Sequence, residues 1–142
     1  MSVRFTIDGY ADFREALRDL PPEMSGEGAN LVEASTNAAT AAVKAEYGRH
    51  TVTGNLQAHT YSTIQRNQAG AIGTVKNTAK HAWIFENGTQ ARHYVTRNGV
   101  QHLTGRMPPF HVFVPILMRE RRRLDGDLAD LLRRSGFTVD VS

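Results

Sequence analysis

Apolar positions along this chain change period repeatedly, and each change marks an element. Val3 to Ile7 alternates as a short strand closed by Asp8 and Gly9. Over Ala11 to Leu20, Phe13, Ala16, Leu17 and Leu20 recur at helical spacing until Pro21-Pro22 stops the run. Leu31 to Tyr47 predicts a long, slim helix with Val32, Ala39, Val43 and Tyr47 on one face. Ala38, Ala42 and Ala45 adjoin that face, and Gly48 is the expected C-terminal cap.

Thr53-Gly54-Asn55-Leu56 is a break before strand-like segments. Thr60 to Arg66 and Ala71 to Lys76 are rich in β-formers and predict a hairpin across Asn67 to Gly70. The stretch HAWIFENGT, His81 to Thr89, then runs Trp83, Ile84 and Phe85 into an acid and a glycine turn. Ala82, Phe85 and Glu86 fit one helical turn, with Gly88 free to take the positive φ that ends it. A second hairpin, about residues 91–103, is expected to project: Tyr94 to Thr96 and Val100 to Leu103 flank Asn98-Gly99, a pair suited to a type I′ turn.

Met107-Pro108-Pro109-Phe110 forces an extended entry into the last helix. There Phe113, Leu117, Leu124, Leu128 and Leu131 form one stripe, Pro115 falls in the first turn, and Gly126 costs about 1 kcal/mol relative to alanine. Gly136 ends this helix, and Phe137 to Val141 reads as a final strand. The elements predict an α+β fold: an antiparallel β-sheet packed by a long helix from the N-terminal half and by a C-terminal helix, with a projecting β-hairpin.

Composition narrows the class. The chain's 142 residues suit one domain, 1–142, and 40% apolar with 22% charged residues describes a globular chain. No apolar run approaches the roughly 20 residues of a membrane span, and the N-terminus lacks the apolar stretch of a signal peptide. Zero cysteines exclude disulfides, thiolate metal sites and a cysteine nucleophile, and fit synthesis in a reducing cytoplasm. The net charge of +3 conceals a polarity: residues 1–50 carry five Lys or Arg against eight acids, and residues 51–142 carry twelve against six, giving −3 and +6. The basic end calls for an acidic partner, whether nucleic acid, another protein or a second copy of the chain.

Candidate chemistry is sparse. His81, His93, His102 and His111 sit on different elements without the i, i+4 pairing that gathers metal ligands, so no metal is expected. No serine occupies a G-x-S-x-G elbow, Glu86 lacks a nearby second acid, and Asp125, Asp127 and Asp130 fall on a polar helix face. The glycines match neither a P-loop nor a dinucleotide pattern, so no cofactor is expected and the chain reads as non-enzymatic. Arg119, Arg121, Arg122 and Arg123 give the strongest electrostatic signal. Arg119, Arg122 and Arg123 share a face beside the leucine stripe, fitting phosphate contact, a solvated face or a subunit interface.

Taken in order, Thr53-Gly54-Asn55-Leu56 after a long helix, Gly73-Thr74-Val75, the turn from Ala82 closing in Glu86-Asn87-Gly88-Thr89, and Pro109-Phe110 with Pro115 entering a helix resemble one family. It is the tail-completion or head-tail joining proteins, also called neck or minor tail components, of long-tailed bacteriophages and prophages. The resemblance covers roughly residues 25–135 and lies in the order and spacing of the landmarks. Two features depart from the pattern: the stretch between Thr89 and Pro108 is longer than is common, and Asn87 stands where an aromatic or aliphatic residue is frequent.

The resemblance implies a structural virion protein, made in the host bacterial cytoplasm, that assembles with itself as a ring of six subunits. The ring sits between head-completion or connector proteins and tail-terminator or tail-tube proteins, and DNA passes its lumen without sequence-specific binding or membrane contact. On this reading Thr53, Gly54, Asn55, Trp83, Glu86, Gly88 and Thr89 build structural turns, with Trp83, Ile84 and Phe85 anchoring one turn to the sheet. Arg97, Asn98, Arg119, Arg122 and Arg123 are interface candidates, and Glu86 accepts backbone N–H groups or pairs with an arginine. Two other readings stay open: a nucleic-acid-binding module using the basic C-terminal helix, and a toxin-like or hydrolytic enzyme using Glu86 with the histidines.

Overall fold

A computed structural model describes residues 22–50, 54–67 and 70–139; the strand expected at Val3 to Ile7, the helix expected at Ala11 to Leu20, and Thr53 lie outside them. Along the chain the elements are α1 (Pro22–Arg49), α2 (Asn55–Ala58), β1 (Thr60–Asn67), β2 (Gly70–Asn77), α3 (Ala82–Asn87), β3 (Arg92–Val95), β4 (Gln101–Gly105) and α4 (Phe113–Arg134). The fold is mixed α+β, with two long helices and two small antiparallel sheets, β1-β2 and β3-β4.

Helix α1 begins nine residues before the expected Leu31, at Pro22. Proline is tolerated in a first turn, and packing against α4 offsets the helix cost of Gly26 and Gly28. A Cβ on Gly28 would lie 3.9 Å from the side chains of both Leu128 and Leu131, so the small residue admits a close crossing. The helices run antiparallel: Glu27 pairs with Arg134 at 3.1 Å, and the Ser35 hydroxyl reaches the Glu120 carbonyl at 3.4 Å. The expected stripe of α4 turns inward, and Glu120 is buried in the same seam. Gly48 keeps an ordinary φ inside the last turn of α1 and does not cap it.

The other side of α1 carries the first hairpin. β1 and β2 pair without a slip from Thr60↔Asn77 to Asn67↔Gly70. Gly73 is required here, because a Cβ would stand 1.8 Å from the Thr36 hydroxyl of α1. Arg66 ties the far end down through Asn30 and Glu33. The near end closes on a polar knot: Asn77 Nδ2 donates to the Leu56 carbonyl and to the fully buried Thr60 hydroxyl, both at 2.8 Å, while Asn77 Oδ1 accepts from Ala79 N. Val43, Tyr47, Leu56, Ala79, Phe85 and Val112 meet beside this knot as the core.

The two hairpins form separate sheets, and α4 packs mainly on α1. Two expectations need correction. Residues 137–139 form no strand: Gly136 turns at φ 90, and the amides of Gly136 and Phe137 bond back to Arg133 and Leu132 as a helix C-cap. The second hairpin turns without a type I′ pair. Gly99 alone takes positive φ, 78, the Gly99 amide donates to the Thr96 carbonyl, and Thr96 N pairs with Val100 O at 2.9 Å, giving a three-residue loop.

Candidate functional site

The end of α1, the turn α3 and the start of α4 converge on Glu86. Phe85 faces inward, edge-on to Tyr47 with ring centroids 5.5 Å apart and stacked on Phe110 at 4.5 Å, and His50 covers Phe110 at 4.9 Å. With Phe85 fixed, helical spacing turns Glu86 toward α4. Its Oε1 accepts the Tyr47 hydroxyl at 2.6 Å, and Oε1 and Oε2 both lie 3.1 Å from the backbone N of Phe113. The carboxylate therefore serves as a remote cap for α4, whose own N-cap residue, Val112, supplies no side-chain bond. Burial first, then the Glu86 bond and charge, push the Tyr47 hydroxyl well above the ordinary tyrosine range.

The return strand to α4 is latched to this turn. Phe110 N and His111 N donate to the carbonyls of Phe85 and Glu86, satisfying carbonyls at the end of α3. Thr89 N bonds Met107 O at 2.9 Å, and Met107 N returns a bond to the Thr89 hydroxyl at 3.1 Å. Gly88 passes directly beneath, at φ 72 and ψ −171; a Cβ there would lie 2.6 Å from Met107 O and 2.8 Å from Pro109 N. His111 enters α4 at φ 49, a strained value for a side-chain-bearing residue.

Trp83 does not anchor the turn. It is 71% exposed, because on so short a helix the one inward direction belongs to Phe85 and a residue two positions away points out. Trp83 lines an open groove of about 530 Å³ together with Val75, Lys76, Val114, His111 and Glu86. Gly54 takes φ 68 at the start of α2, and the Asn55 amide nitrogen meets His81 Nε2 at 2.9 Å. Asn87 folds back on the Trp83 carbonyl. Arg97 and Asn98 lie at the tip of the second hairpin, far along the chain from the arginines of α4, and the structure does not gather the two groups into one site. Arg119 contacts Glu120 at 3.3 Å, whereas Arg122 and Arg123 are exposed without an ion-pair partner among the described residues.

Sequence reasoning missed the Tyr47 hydroxyl as the partner of Glu86 and Asn77 as the organiser of the knot. The first pair is 39 residues apart, so no local spacing signals it. Chemically, all three hydrogen bonds to Glu86 are structural, and among the described residues it is the only carboxylate on the groove lining. Among the described residues no three His, Asp or Glu side chains gather as a metal site, and no helix is long and apolar enough to cross a membrane. No family model, curated protein or solved structure matches the chain.

Proposed function

We propose that this chain is a structural protein of the neck of a long-tailed bacteriophage, prophage or phage-derived particle. In this role it is a tail-completion or head-tail joining subunit that forms a ring with its copies, six in the particle, between the head connector and the tail tube. The reading is non-enzymatic. The observation that carries it is apolar surface left open beside the Glu86 clamp, where Trp83, Val114 and Met118 are exposed. Such a patch on a small chain fits a subunit whose neighbours cover it.

The clamp supports the same reading, since using Glu86 as a base would release the start of α4. The arginine face of α4 is the second candidate contact. Glu27, Glu33 and Glu46 of α1 already pair within the chain, with Arg134, Arg66 and Arg49, and among the described residues no acid pairs with Arg122 or Arg123, which leaves both open to a neighbour. The same pairings weigh against a nucleic-acid module built on α4, because Arg119, Arg133 and Arg134 each have a carboxylate neighbour.

The test is assembly. Native mass measurement of the wild-type chain with connector and tail proteins should give a ring-sized species, and extracts containing it should join tails to heads. Arg119→Glu/Arg122→Glu/Arg123→Glu should block both, because like charges facing across an interface cost several kcal/mol. Normal joining by this variant, together with a large loss of DNA affinity, refutes the reading in favour of a nucleic-acid-binding module.

A further inference from the structure

From Asn87 to Arg119 the chain contains no Asp or Glu, yet it carries Arg92, Arg97, Arg106, His93, His102 and His111. The structure concentrates this run on one element. β3 and β4 are exposed along their whole length, with Arg97 in the loop at the tip and Arg92 and Arg106 at the base. None of these three arginines has an ion-pair partner among the described residues, in contrast to Arg119, Arg133 and Arg134 of α4. Tyr94 and His102 pair across the strands with ring centroids 5.1 Å apart and 15° between planes, an exposed stacked pair on one face. His93 and Leu103 pair on the other face.

We infer that the β3-β4 arm is a sequence-tolerant contact for duplex nucleic acid, with Arg92, Arg97 and Arg106 on the phosphates. Charge complementarity selects this occupant: an arm cationic at tip and base, with no acid anywhere along it, meets a polyanion without a repelling group. Size agrees, because a duplex major groove about 12 Å wide admits a two-stranded ribbon. The five residue steps from Arg92 to Arg97 span about 16 Å at strand rise, enough to reach more than one phosphate. Apolar Val95 and Leu103 and the Tyr94–His102 pair lie between the cationic ends, where they contact sugar and base edges without reading a particular base.

The inference stands independently of ring formation. A labelled duplex of mixed sequence, titrated with the full chain and read by anisotropy, tests it. With three phosphate contacts the slope of log K against log salt should be about −2.7, so affinity should fall roughly 40-fold between about 50 and 200 mM salt. Arg92→Ala/Arg97→Ala/Arg106→Ala should lose most of the low-salt affinity and bring the slope near zero, with an unchanged far-UV circular dichroism spectrum because all three side chains are exposed. Arg119→Ala/Arg122→Ala/Arg123→Ala should keep the wild-type slope. The inference fails if wild type does not bind at 50 mM salt, if the arm variant binds as wild type does, or if only the α4 variant loses binding. An arm variant that binds DNA normally but no longer joins the neck proteins makes the arm a protein-docking element, which also overturns it. Native mass of the same samples reports assembly separately, so loss of the ring leaves the DNA result standing.

Discussion

Glu86→Gln changes the charge of the clamp while keeping its shape, so its cost can be worked out bond by bond. Oε1 accepts from both the Tyr47 hydroxyl and Phe113 N, while Oε2 faces Phe113 N alone. An amide replaces one of these oxygens by an NH2 group. With its oxygen toward Tyr47, the amide sets NH2 against the Phe113 N–H; flipped, it forces the Tyr47 hydroxyl to turn and accept. One bond is lost or reversed in either pose. Charge-assisted bonds contribute about 1.5–3 kcal/mol against about 0.5–1.5 for neutral ones, and a negative charge at a helix start adds about 0.3–1. The expected loss is therefore about 2 kcal/mol, or roughly 4–8 °C in Tm for a chain of this size. Urea titration followed by circular dichroism should show the midpoint falling at constant m. Tyr47→Phe alone should cost about 1 kcal/mol, and the double variant should reveal a coupling of at least 0.5 kcal/mol. A Glu86→Gln variant within about 0.3 kcal/mol of wild type, or a coupling of zero, refutes the clamp. So does a turnover that this change abolishes while fold and assembly stay intact.

Two further changes test the same region. The native fold keeps a Tyr47 proton that the unfolded chain releases above about pH 10, so this group's contribution is present below that pH. It is lost as pH rises further, by up to about 1.4 kcal/mol per unit, and Tyr47→Phe should show a flatter stability profile above pH 10; equal slopes contradict the burial argument. Gly88→Ala should cost about 3 kcal/mol or more, because strained φ/ψ and backbone overlap with Met107 and Pro109 act together; a thermal melt within 2 °C of wild type would show that the latch yields.

Legibility in the sequence follows the range of the forces involved. Both hairpins, the short turn α3 and the stripe of α4 were readable, since period and turn chemistry act over a few residues. The early start of α1 was hidden because Gly26 and Gly28 argue locally against helix, and only the approach of Leu128 and Leu131 reverses that preference. The α1 face facing the first hairpin was half-readable: Val43 and Tyr47 marked it, but the threonines Thr36 and Thr40 look polar in sequence. In the fold both bond back to carbonyls four residues earlier and tolerate burial. Residues 137–139 carried strand-like composition, and the helix cap at Gly136 overrides it.

At the candidate site the sequence marked the acid and the glycine but could not divide the aromatics. Trp83 and Phe85 have equal claims on a core by composition, and only two positions separate them. On a helix that spacing is about 200°, so burying Phe85 exposes Trp83. The same geometry bears on the length of the arm. Thr89 and Met107 exchange two hydrogen bonds at its base, and Gly88 passes beneath the Met107 carbonyl, so the clamp closes without reference to what lies between. Loop-closure entropy grows only with the logarithm of loop length, about 0.6 kcal/mol per doubling. A long arm therefore costs the body little. The stretch between Thr89 and Pro108 can carry Arg92, Arg97 and Arg106 on an exposed ribbon without disturbing the Glu86 cap or the Phe85 cluster.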